Sequence, residues 1–518
     1  MPAPATEHGA VRKRCPKCLR VALLYPSLYQ AAVASLAYQN LYYMLNSLEG
    51  VYAERFVASK LAGEEPPPRS LETGTPLAKF DLILVSVSYE LDYVTLARML
   101  LSAGLSPLAD SRQGPPVVVG GPVPTSNPEL ALSIADAVVV GDAEGAVDRL
   151  VARAAELGPW RALEAESCSR GILTRACSEP VERNFSGDLD SAFHSVMQFR
   201  IVGSGEPWGE AYMVEVSRGC RHMCRFCMEA HVSLPLRHRS YARVTDLVKK
   251  GVEVNGVSRV AFYALSFFDH PQADSLLEFA VSSGLEAGVG SLRADTLTEE
   301  RVELIAHAGQ RVLTVAPETF SPKLCRAILK CILEEDVAQI AEWGWKRGMH
   351  VKLYLMVGLP GERDSDVELA AEVLKRLSAR APPRREAIRV SLNPLVPKPM
   401  TPFQYLPLID ERTYLRRVSI LRRVQSKVLA VDALSYRYAY AQAVLARGDA
   451  AVARLVERWA AHGGRLGQLW RAARELGVDL EKYARGRVEP RWHMYVKPGF
   501  SRKALERGLE DARARAGS

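Results

Sequence analysis

The sequence has no uninterrupted apolar run of about 20 residues, the length that a membrane-spanning helix requires. Its opening residues, MPAPATEHGAVRKRCPKC, also lack the apolar core of a secretory signal. We therefore expect a cytoplasmic protein with no membrane span. A large charge of one sign is absent too, because 67 basic and 59 acidic residues leave a net charge of +8 over 518 residues. A charge this small makes a nucleic acid partner possible but does not support one.

Cysteine is scarce, with nine residues in the whole chain. Disulfides are not the default in a long cytosolic chain, so metal binding is the first alternative wherever thiols cluster. Cys15 and Cys18 form a lone C-x2-C, which could clip to a partner, ligate a second metal with remote residues or be inert in a basic tail (1–19), and we favour the last. Four scattered cysteines are predicted to be packing residues: Cys168, Cys177, Cys325 and Cys331.

The first part of the chain, 20–157, alternates strands with helices. Near-continuous apolar runs predict the strands: RVALLYPSLY (20–29), VYAERFV (51–57), FDLILVSVSYE (80–90), PPVVVGGP (115–122) and one more strand within 129–157. Strands of this kind, with helices between them, are typical of a Rossmann-like or flavodoxin-like α/β domain with a parallel sheet. Ligands bind such sheets at the carboxyl ends of the strands. The candidate contacts at those ends are Ser86, Ser88, Gly120, Gly121 and Gly141.

A second series of strands and helices begins at 211, after an irregular segment (158–210) that we interpret as a linker with a few strands. Its predicted strands are 211–217, 259–265, 286–292, 311–318, 350–360 and 387–397. Six β/α units in one direction predict a partial TIM-type (β/α)6 barrel over 211–410, with its active site at the carboxyl ends of the strands. Residues 411–518, rich in Arg and Ala, predict a helical C-terminal domain.

Cys220, Cys224 and Cys227 follow the first strand of this barrel in a C-x3-C-x2-C spacing. Three thiolates from one loop can hold three irons of a [4Fe–4S] cluster and leave the fourth iron open to another ligand. Structural zinc requires four closed ligands, and His222 is poorly placed to supply the fourth. A zinc site and three unrelated buried thiols remain the alternatives to the cluster.

The cysteine motif, with Phe226 as the aromatic residue before its last cysteine, resembles that of the radical S-adenosylmethionine (radical SAM) superfamily. Further segments resemble its subgroup with an N-terminal cobalamin-binding-type domain: GSLRADTLTEE (290–300), LTVAPET (313–319), LYLMVGLPGE (353–362), VPKPMTPFQY (396–405) and SYRYAYAQAVLARGD (435–449). The resemblance covers nearly the whole chain from residue 20. It implies that the open iron chelates SAM, that one electron cleaves the S–C5′ bond, and that a 5′-deoxyadenosyl radical abstracts hydrogen from a substrate.

The resemblance also implies where SAM would bind. Phe226 would either pack beside the adenine or shield the cluster. Many radical SAM proteins hold the SAM amino group with a glycine-rich GGE segment, but this chain has ALSFFDH (264–270) at that place. Ser266 or backbone carbonyls would then take over the contact.

Other implied contacts lie at the ends of later strands. Ser291 and Arg293 would reach the SAM carboxylate, unless they only form hydrogen bonds within their loop. Glu318 would accept hydrogen bonds from the ribose. Gly358 and Leu359 would bring backbone close to the adenine, since glycine permits close approach, or would simply form a strand-to-helix turn.

The resemblance leaves cobalamin binding open. A D-x-H-x-x-G motif, whose histidine ligates cobalt in many cobalamin-binding domains, is missing after the first strand. Some related enzymes bind cobalamin without a protein ligand, so the strand-end residues named above would be its contacts, or the domain binds nothing.

The sequence thus predicts a radical SAM enzyme, either a cobalamin-dependent methyltransferase or one that performs another radical modification, with an electron donor of the ferredoxin or flavodoxin type. One alternative is a methylthiotransferase of RNA or protein, but that class typically has three further N-terminal cysteines. Another is a non-enzymatic, metal-stabilised binding module. The substrate and the catalytic residues are not identified by the sequence.

Overall fold

A six-stranded sheet forms the core of the first domain in the computed structural model, which describes residues 7–201 and 210–517. Residues 1–6 of the predicted tail and 202–209 of the predicted linker lie outside the described residues. The strands in sheet order are Val51–Val57, Leu19–Tyr25, Leu82–Ser86, Val117–Gly120, Ala137–Val139 and Ile172–Thr174. The first five are parallel, and their order corresponds to the flavodoxin-like 2-1-3-4-5 arrangement.

Both faces of this sheet are buried, which is why its strands are apolar along their length. Val21 and Leu23 pack into one hydrophobic core, while Ala22 and Leu24 pack into the other. Helices supply the covering layers: Tyr29–Val33, Leu36–Ser47, Asp92–Ser102, Pro122–Ser126, Pro128–Ile134, Val147–Leu157 and Pro159–Glu166. The predicted α/β fold class is confirmed.

The predicted linker contains several short strands. Ile172–Thr174 pairs antiparallel with Ala137–Val139 and completes the first sheet. The position of a three-residue strand cannot be recognised in the sequence, because the strand is too short for its apolar periodicity to show. Short two-residue strands pair elsewhere: Glu7–His8 with Arg200–Ile201, Ser217–Arg218 with Arg237–His238, and Val181–Glu182 with Val496–Lys497.

Parallel strands in two sheets form the partial barrel, and a bridge between Leu292 and Val315 joins the sheets. The strands are Ala211–Glu215, Arg259–Tyr263, Glu286–Val289, Val312–Glu318, His350–Val357, Ile388–Pro394 and Leu429–Ala433. The last of these is a seventh strand within the region predicted to be helical. It is short and lies between two helices, so the apolar pattern of the sequence does not separate it from them.

Helices follow the barrel strands and continue into the C-terminal region. Those of the barrel are Met228–Val232, Tyr241–Asn255, Ala273–Ser282, Glu299–His307, Pro322–Ile328, Glu334–Lys346, Asp364–Arg380 and Glu411–Arg422. The C-terminal helices are Tyr436–Ala446, Ala450–Ala461, Leu466–Leu476, Leu480–Ala484 and Arg502–Ala516. Short 3-10 turns occur at Leu77–Lys79, Phe267–Asp269, Ala294–Thr296, Pro402–Tyr405 and Trp492–Met494. No helix in 7–201 or 210–517 is both long and apolar enough to cross a membrane.

The C-terminal helices contact both other parts of the molecule. Ala450–Ala461 packs against Asp92–Ser102 of the first domain. The Asn127 side chain donates hydrogen bonds to the carbonyls of Ala446 (3.1 Å) and Gly448 (2.8 Å). This region therefore helps to hold the first domain against the barrel.

Six of the nine cysteines form disulfides, so the prediction that four of them are simply packing residues is wrong. The pairs are Cys15–Cys18, Cys168–Cys177 and Cys325–Cys331. Their Cα atoms lie 5.3, 5.4 and 4.6 Å apart, within the range that a disulfide needs. Each pair is close in sequence, but the local turns that bring the thiols together leave no clear pattern in the residues.

Candidate functional site

Three unpaired thiols lie in one loop at the mouth of the barrel. This cysteine loop (219–227) follows closely on the strand Ala211–Glu215, so it lies at the carboxyl end of the first barrel strand. Cys224 is buried, and Cys220 and Cys227 are half-buried. The three thiols are thus gathered where a ligand in the barrel mouth can reach them.

Two residues give the cysteine loop its shape. Gly219 has a φ of +90°, and a Cβ there would lie 2.6 Å from the carbonyl oxygen of Pro235. Glycine is therefore required at the first position of the loop. Met223 also has a positive φ, +48°, directly before Cys224.

The segment 325–331 packs behind the cysteine loop. A disulfide joins the two end residues of this segment. The backbone N–H of Arg225 donates to the carbonyl of Ile328 (3.2 Å), and its guanidinium donates to that of Ala327 (2.7 Å). The Leu329 carbonyl lies 4.0 Å from the Cys224 sulfur. The Arg225 guanidinium also bonds Asp511 of the C-terminal helix. Two distant parts of the chain thus fix the position of this loop.

Asp269 lies on the other side of the loop, in the turn after the second barrel strand. Its carboxylate is completely buried and lies 3.0 Å from the Arg221 guanidinium and 2.8 Å from Nε2 of His222. His222 is thereby directed to Asp269. Within the described residues, no group of three His, Cys, Asp or Glu side chains is arranged to hold a single metal ion.

Two cations lie near Cys224. Burial raises the pKa of this thiol, while Lys330 and Arg293 lower it. The Arg293 guanidinium donates to the Cys224 sulfur at 3.7 Å and to the Asp295 carboxylate at 2.7 Å. Positive charge beside a thiol favours the thiolate, the form that ligates metals. These two cations oppose the effect of burial, which nevertheless leaves the pKa of the Cys224 thiol above its ordinary value.

Glu318 is held in a strained and buried position. It has a φ of +66°, and its carboxylate is 2.9 Å from the ammonium of Lys330. Burial raises the pKa of Glu318, and the Lys330 charge lowers it. A non-glycine residue in this conformation costs about 1–3 kcal/mol and persists only where its surroundings impose it. The predicted ribose contact thus already has one partner within the protein.

The other predicted SAM contacts are distributed around the barrel mouth. Phe226 and Leu359 belong to the same apolar cluster behind the cysteine loop. Ser266 is buried, and its hydroxyl has no hydrogen-bond partner in the described residues. Ser291 is exposed. A Cβ on Gly358 would lie 3.1 Å from an isoleucine side chain, so packing alone already favours glycine there.

A cavity of about 480 Å³ opens between the first domain and the barrel, within the usual range of small-molecule sites. We refer to it as the interdomain cavity. Four of the predicted strand-end residues line it: Ser86, Gly120, Gly121 and Gly141. Ser88 does not; it lies in the loop before the helix Asp92–Ser102, and its N–H donates to the Asp92 carboxylate (2.9 Å).

Two of these glycines are required by the fold itself. A Cβ on Gly121 (φ +124°) would lie 2.2 Å from the Val87 carbonyl oxygen. A Cβ on Gly141 (φ +97°) would lie 2.0 Å from the carbonyl oxygen of Asn184. Backbone therefore approaches backbone at this edge of the sheet, and the cavity wall there consists largely of main chain.

The opposite wall of the interdomain cavity belongs to the barrel. It includes Gly219 of the cysteine loop, Glu229 of the helix that follows it, and Tyr263 and Leu265 at the end of the second barrel strand. The cavity is mainly apolar. One space is thus lined both by the carboxyl edge of the first sheet and by the start of the cysteine loop.

Arg218 connects the two walls. Its guanidinium lies 3.0 Å from Asp142 and 2.9 Å from Glu144 of the first domain, and 2.8 Å from Glu215 of the barrel. Burial alone would raise the pKa of Glu215, but Arg218 and Arg239 lower it to about 2. The network keeps the Glu215 carboxylate ionised and ties the domains together across the cavity.

Sequence reasoning missed several residues of this site. Asp269 stands in the quoted segment 264–270, and a carboxylate directly after a barrel strand is a signal that could have singled it out. Lys330 and Arg218 carry no such signal, since their importance depends on distant partners.

Two family profiles match the chain. One, described as "Radical SAM proteins, N-terminal", matches residues 37–170, and one described as "Radical SAM superfamily" matches residues 214–374. An uncharacterized protein of Methanocaldococcus jannaschii is 27% identical over 434 residues, which are 83% of this chain and 88% of that protein. An uncharacterized methyltransferase of Pyrococcus horikoshii is 24% identical over 270 residues, 50% of this chain and 58% of that protein.

Solved structures with the same fold include two cobalamin-dependent or cobalamin-bound enzymes. TsrM of Kitasatospora setae, a radical S-adenosylmethionine methyltransferase with cobalamin and a [4Fe-4S] cluster bound, is 15% identical with a TM-score of 0.57, over 88% of this chain and 99% of that one. OxsB, a cobalamin-dependent S-adenosylmethionine radical enzyme with aqua-cobalamin and SAM bound, is 14% identical with a TM-score of 0.50, over 70% of this chain and 52% of that one. At these identities the likeness concerns the fold.

Proposed function

Because this chain belongs to the radical SAM superfamily, we propose that it is a cobalamin-dependent methyltransferase that modifies a substrate held between its first domain and its barrel. Radical SAM proteins use SAM and a [4Fe–4S] cluster, and the first domain would add cobalamin to these two. The interdomain cavity is the observation that supports this proposal most. It is lined by the strand edge where flavodoxin-like domains bind ligands and by the loop that carries the thiols.

Cys220, Cys224 and Cys227 are the residues that would hold the cluster. They are the unpaired cysteines of the described chain, and the remaining six are consumed in disulfides. When bound in this superfamily, the cluster supplies the electron for reductive cleavage of SAM, and cobalamin can carry the methyl group. Arg293 and Lys330 would balance the negative charge of the sulfurs and favour their ionised form.

Gly120, Gly121 and Gly141 would hold cobalamin by exposing main chain at the sheet edge, together with the hydroxyl of Ser86. No histidine is among the described residues that line the interdomain cavity. We therefore expect this wall to bind the cofactor without an imidazole ligand to cobalt. The apolar side chains around the cavity would exclude water from a reactive radical.

The remaining SAM contacts would come from the barrel mouth. The Ser266 hydroxyl is buried without a partner in the described residues, and a buried polar group of this kind is stabilised when a ligand completes its hydrogen bonds. Phe226 and Leu359 would present apolar surface to the adenine. Glu318 would be held in place for the ribose by Lys330.

Radical SAM enzymes need an electron donor, and we infer an acidic carrier of the ferredoxin or flavodoxin type. Leu329 is 40% exposed, and its carbonyl is 4.0 Å from the Cys224 sulfur. Arg221, in the cysteine loop itself, has a side chain that is 64% exposed. A basic and partly apolar surface this close to the thiols suits an acidic protein that must approach the cluster.

Neither alternative function is favoured by an observation of the site. Cys15 and Cys18 are bonded to each other, so the described tail has no free thiol for the second cluster of a methylthiotransferase. A zinc-stabilised module would need a closed set of ligands around one ion.

The radical function is tested by anaerobic purification, reconstitution with iron and sulfide, reduction, and addition of SAM. We expect 5′-deoxyadenosine by chromatography, lost together with the iron in Cys224→Ala. Cys168→Ala removes a thiol of a distant disulfide and should keep both. A colourless protein with stoichiometric zinc would contradict the assignment.

Cobalamin is tested separately. We expect the purified or hydroxocobalamin-treated protein to keep one cobalamin per chain through gel filtration, as measured by its visible spectrum. Retention of none would refute cobalamin-dependent methyl transfer, while 5′-deoxyadenosine formation would still support a radical SAM enzyme of another kind.

A further inference from the structure

In the part of the chain that the structure describes, one charged side chain of the interdomain cavity has no partner of opposite charge. The wall contains Asp142, Glu144, Glu215, Glu229 and one cation, Arg218. The first three each lie within 4.0 Å of an arginine. Among the described residues, Glu229 forms no ion pair and its carboxylate accepts no hydrogen bond.

The ammonium of Lys398 forms an ion pair with Glu90 and not with Glu229. The Glu90 carboxylate also accepts a hydrogen bond from Gln442 (3.0 Å). Lys398 is therefore engaged by Glu90, and the half-buried Glu229 carboxylate has no cation at ion-pair distance among the described residues.

The surroundings of Glu229 restrict the kind of molecule that can bind it. The cavity wall is mostly apolar, with Leu36, Met44, Val232 and Leu265 among its side chains. An apolar space with a single unmatched carboxylate complements a ligand with an apolar body and one cationic group. The amide groups of cobalamin are neutral, so they can donate hydrogen bonds to the carboxylate but cannot balance its charge.

We propose that Glu229 binds the protonated amino group of the substrate, whose apolar part occupies the barrel side of the interdomain cavity. This inference rests on the proposed function, since it assigns the barrel side of the cavity to the substrate of that enzyme and leaves the sheet edge to cobalamin. It identifies the substrate class as an apolar primary amine, or a larger molecule that presents one.

The test uses the cluster- and cobalamin-loaded protein and three probes of similar shape: 2-phenylethylamine, 2-phenylethanol and 3-phenylpropionate. Calorimetric titration measures their dissociation constants. We expect the amine to bind at least about tenfold more tightly than the alcohol, and the carboxylate to bind most weakly. Equal affinity for amine and alcohol would overturn the inference, and this comparison needs no variant.

Two variants locate the effect. Glu229→Gln should remove the preference for the amine, while affinity for the alcohol changes less than about threefold. Glu144→Gln removes a carboxylate of the same cavity that Arg218 already pairs, so it should keep the preference. An unchanged preference in Glu229→Gln, or its loss only in Glu144→Gln, would refute the role of Glu229.

The wild-type protein separates this inference from the proposed function. If it forms 5′-deoxyadenosine and retains cobalamin but does not distinguish amine from alcohol, only the role of Glu229 fails. If it distinguishes them but forms no 5′-deoxyadenosine, the enzyme assignment fails and the amine site remains.

Discussion

Replacing Arg218 by methionine removes a cation that three carboxylates from both domains share. Asp142 keeps Arg237 at 2.7 Å, and Glu215 keeps Arg239 at 3.1 Å. Glu144 loses the only ion pair recorded for it in the described residues. Methionine retains much of the volume of the side chain, so the perturbation is mainly electrostatic.

The magnitude follows from two independent estimates. A carboxyl whose pKa falls from 4.5 to about 2, as that of Glu215 does, is stabilised by about 3 kcal/mol, which is an upper limit here because Arg239 supplies part of the shift and remains. Removing one partner of a buried ion pair costs about 3–5 kcal/mol, because the remaining charge is left in a poorly solvated place. We therefore expect Arg218→Met to lower the free energy of unfolding by about 3–5 kcal/mol at pH 7.

Thermal unfolding followed by circular dichroism measures this loss. With an unfolding entropy of about 2.1 cal/mol/K per residue, 518 residues give about 1.1 kcal/mol/K, so Tm should fall by about 3–5 °C. Arg376→Met removes an exposed arginine that pairs with Glu334 and should leave Tm unchanged. A Tm of Arg218→Met within 1 °C of the wild type would refute the reasoning that this network holds the two domains together.

Three further predictions concern other parts of the molecule. Burial lowers the pKa of His194 to about 4, so the folded state binds fewer protons than the unfolded state between pH 4 and 6.5. The free energy of unfolding should therefore fall by about 3 kcal/mol as the pH drops through this window. Urea titrations at several pH values measure this fall, and His194→Gln should remove it. Gly141→Ala should destabilise the protein by more than about 2 kcal/mol, because the added Cβ clashes with Asn184. Gly145→Ala should cost about 1 kcal/mol, because Gly145 has a φ of +79° but open space around it. Equal losses of stability in thermal unfolding would contradict this prediction. Alkylation of the denatured, metal-free protein should label three cysteines without reductant and nine after reduction, and mass spectrometry showing nine before reduction would disprove the disulfides.

Much of the fold follows from the sequence because buried parallel strands must be apolar on both faces. The run VVVG at Val117–Gly120 is an example, since neither of its sides meets water. The strand Leu429–Ala433 contains an exposed aspartate and lies at the edge of its sheet. A search for strands that are apolar on both faces therefore does not find it. Strand prediction thus succeeds where burial is complete and fails at the margin of the barrel.

The candidate site divides in a similar way. The three cysteines are recognisable because their spacing lies within eight residues of the chain. The roles of Lys330 and Glu229 depend on their surroundings. Lys330 pairs with Glu318, whereas Glu229 is unusual because it forms no ion pair in the described residues. Such properties belong to the arrangement in space, which a single sequence does not reveal.

The contacts behind the cysteine loop also have a consequence for biosynthesis. Arg225 bonds Ala327, which is 102 residues later in the chain, and Asp511, which is 286 residues later. During translation the thiols emerge from the ribosome long before either partner, since domains form in order from the N-terminus. The loop reaches its final conformation only when nearly the whole polypeptide has been made. We therefore expect the cysteine loop to be completed late in the maturation of this protein, after the last helix has docked.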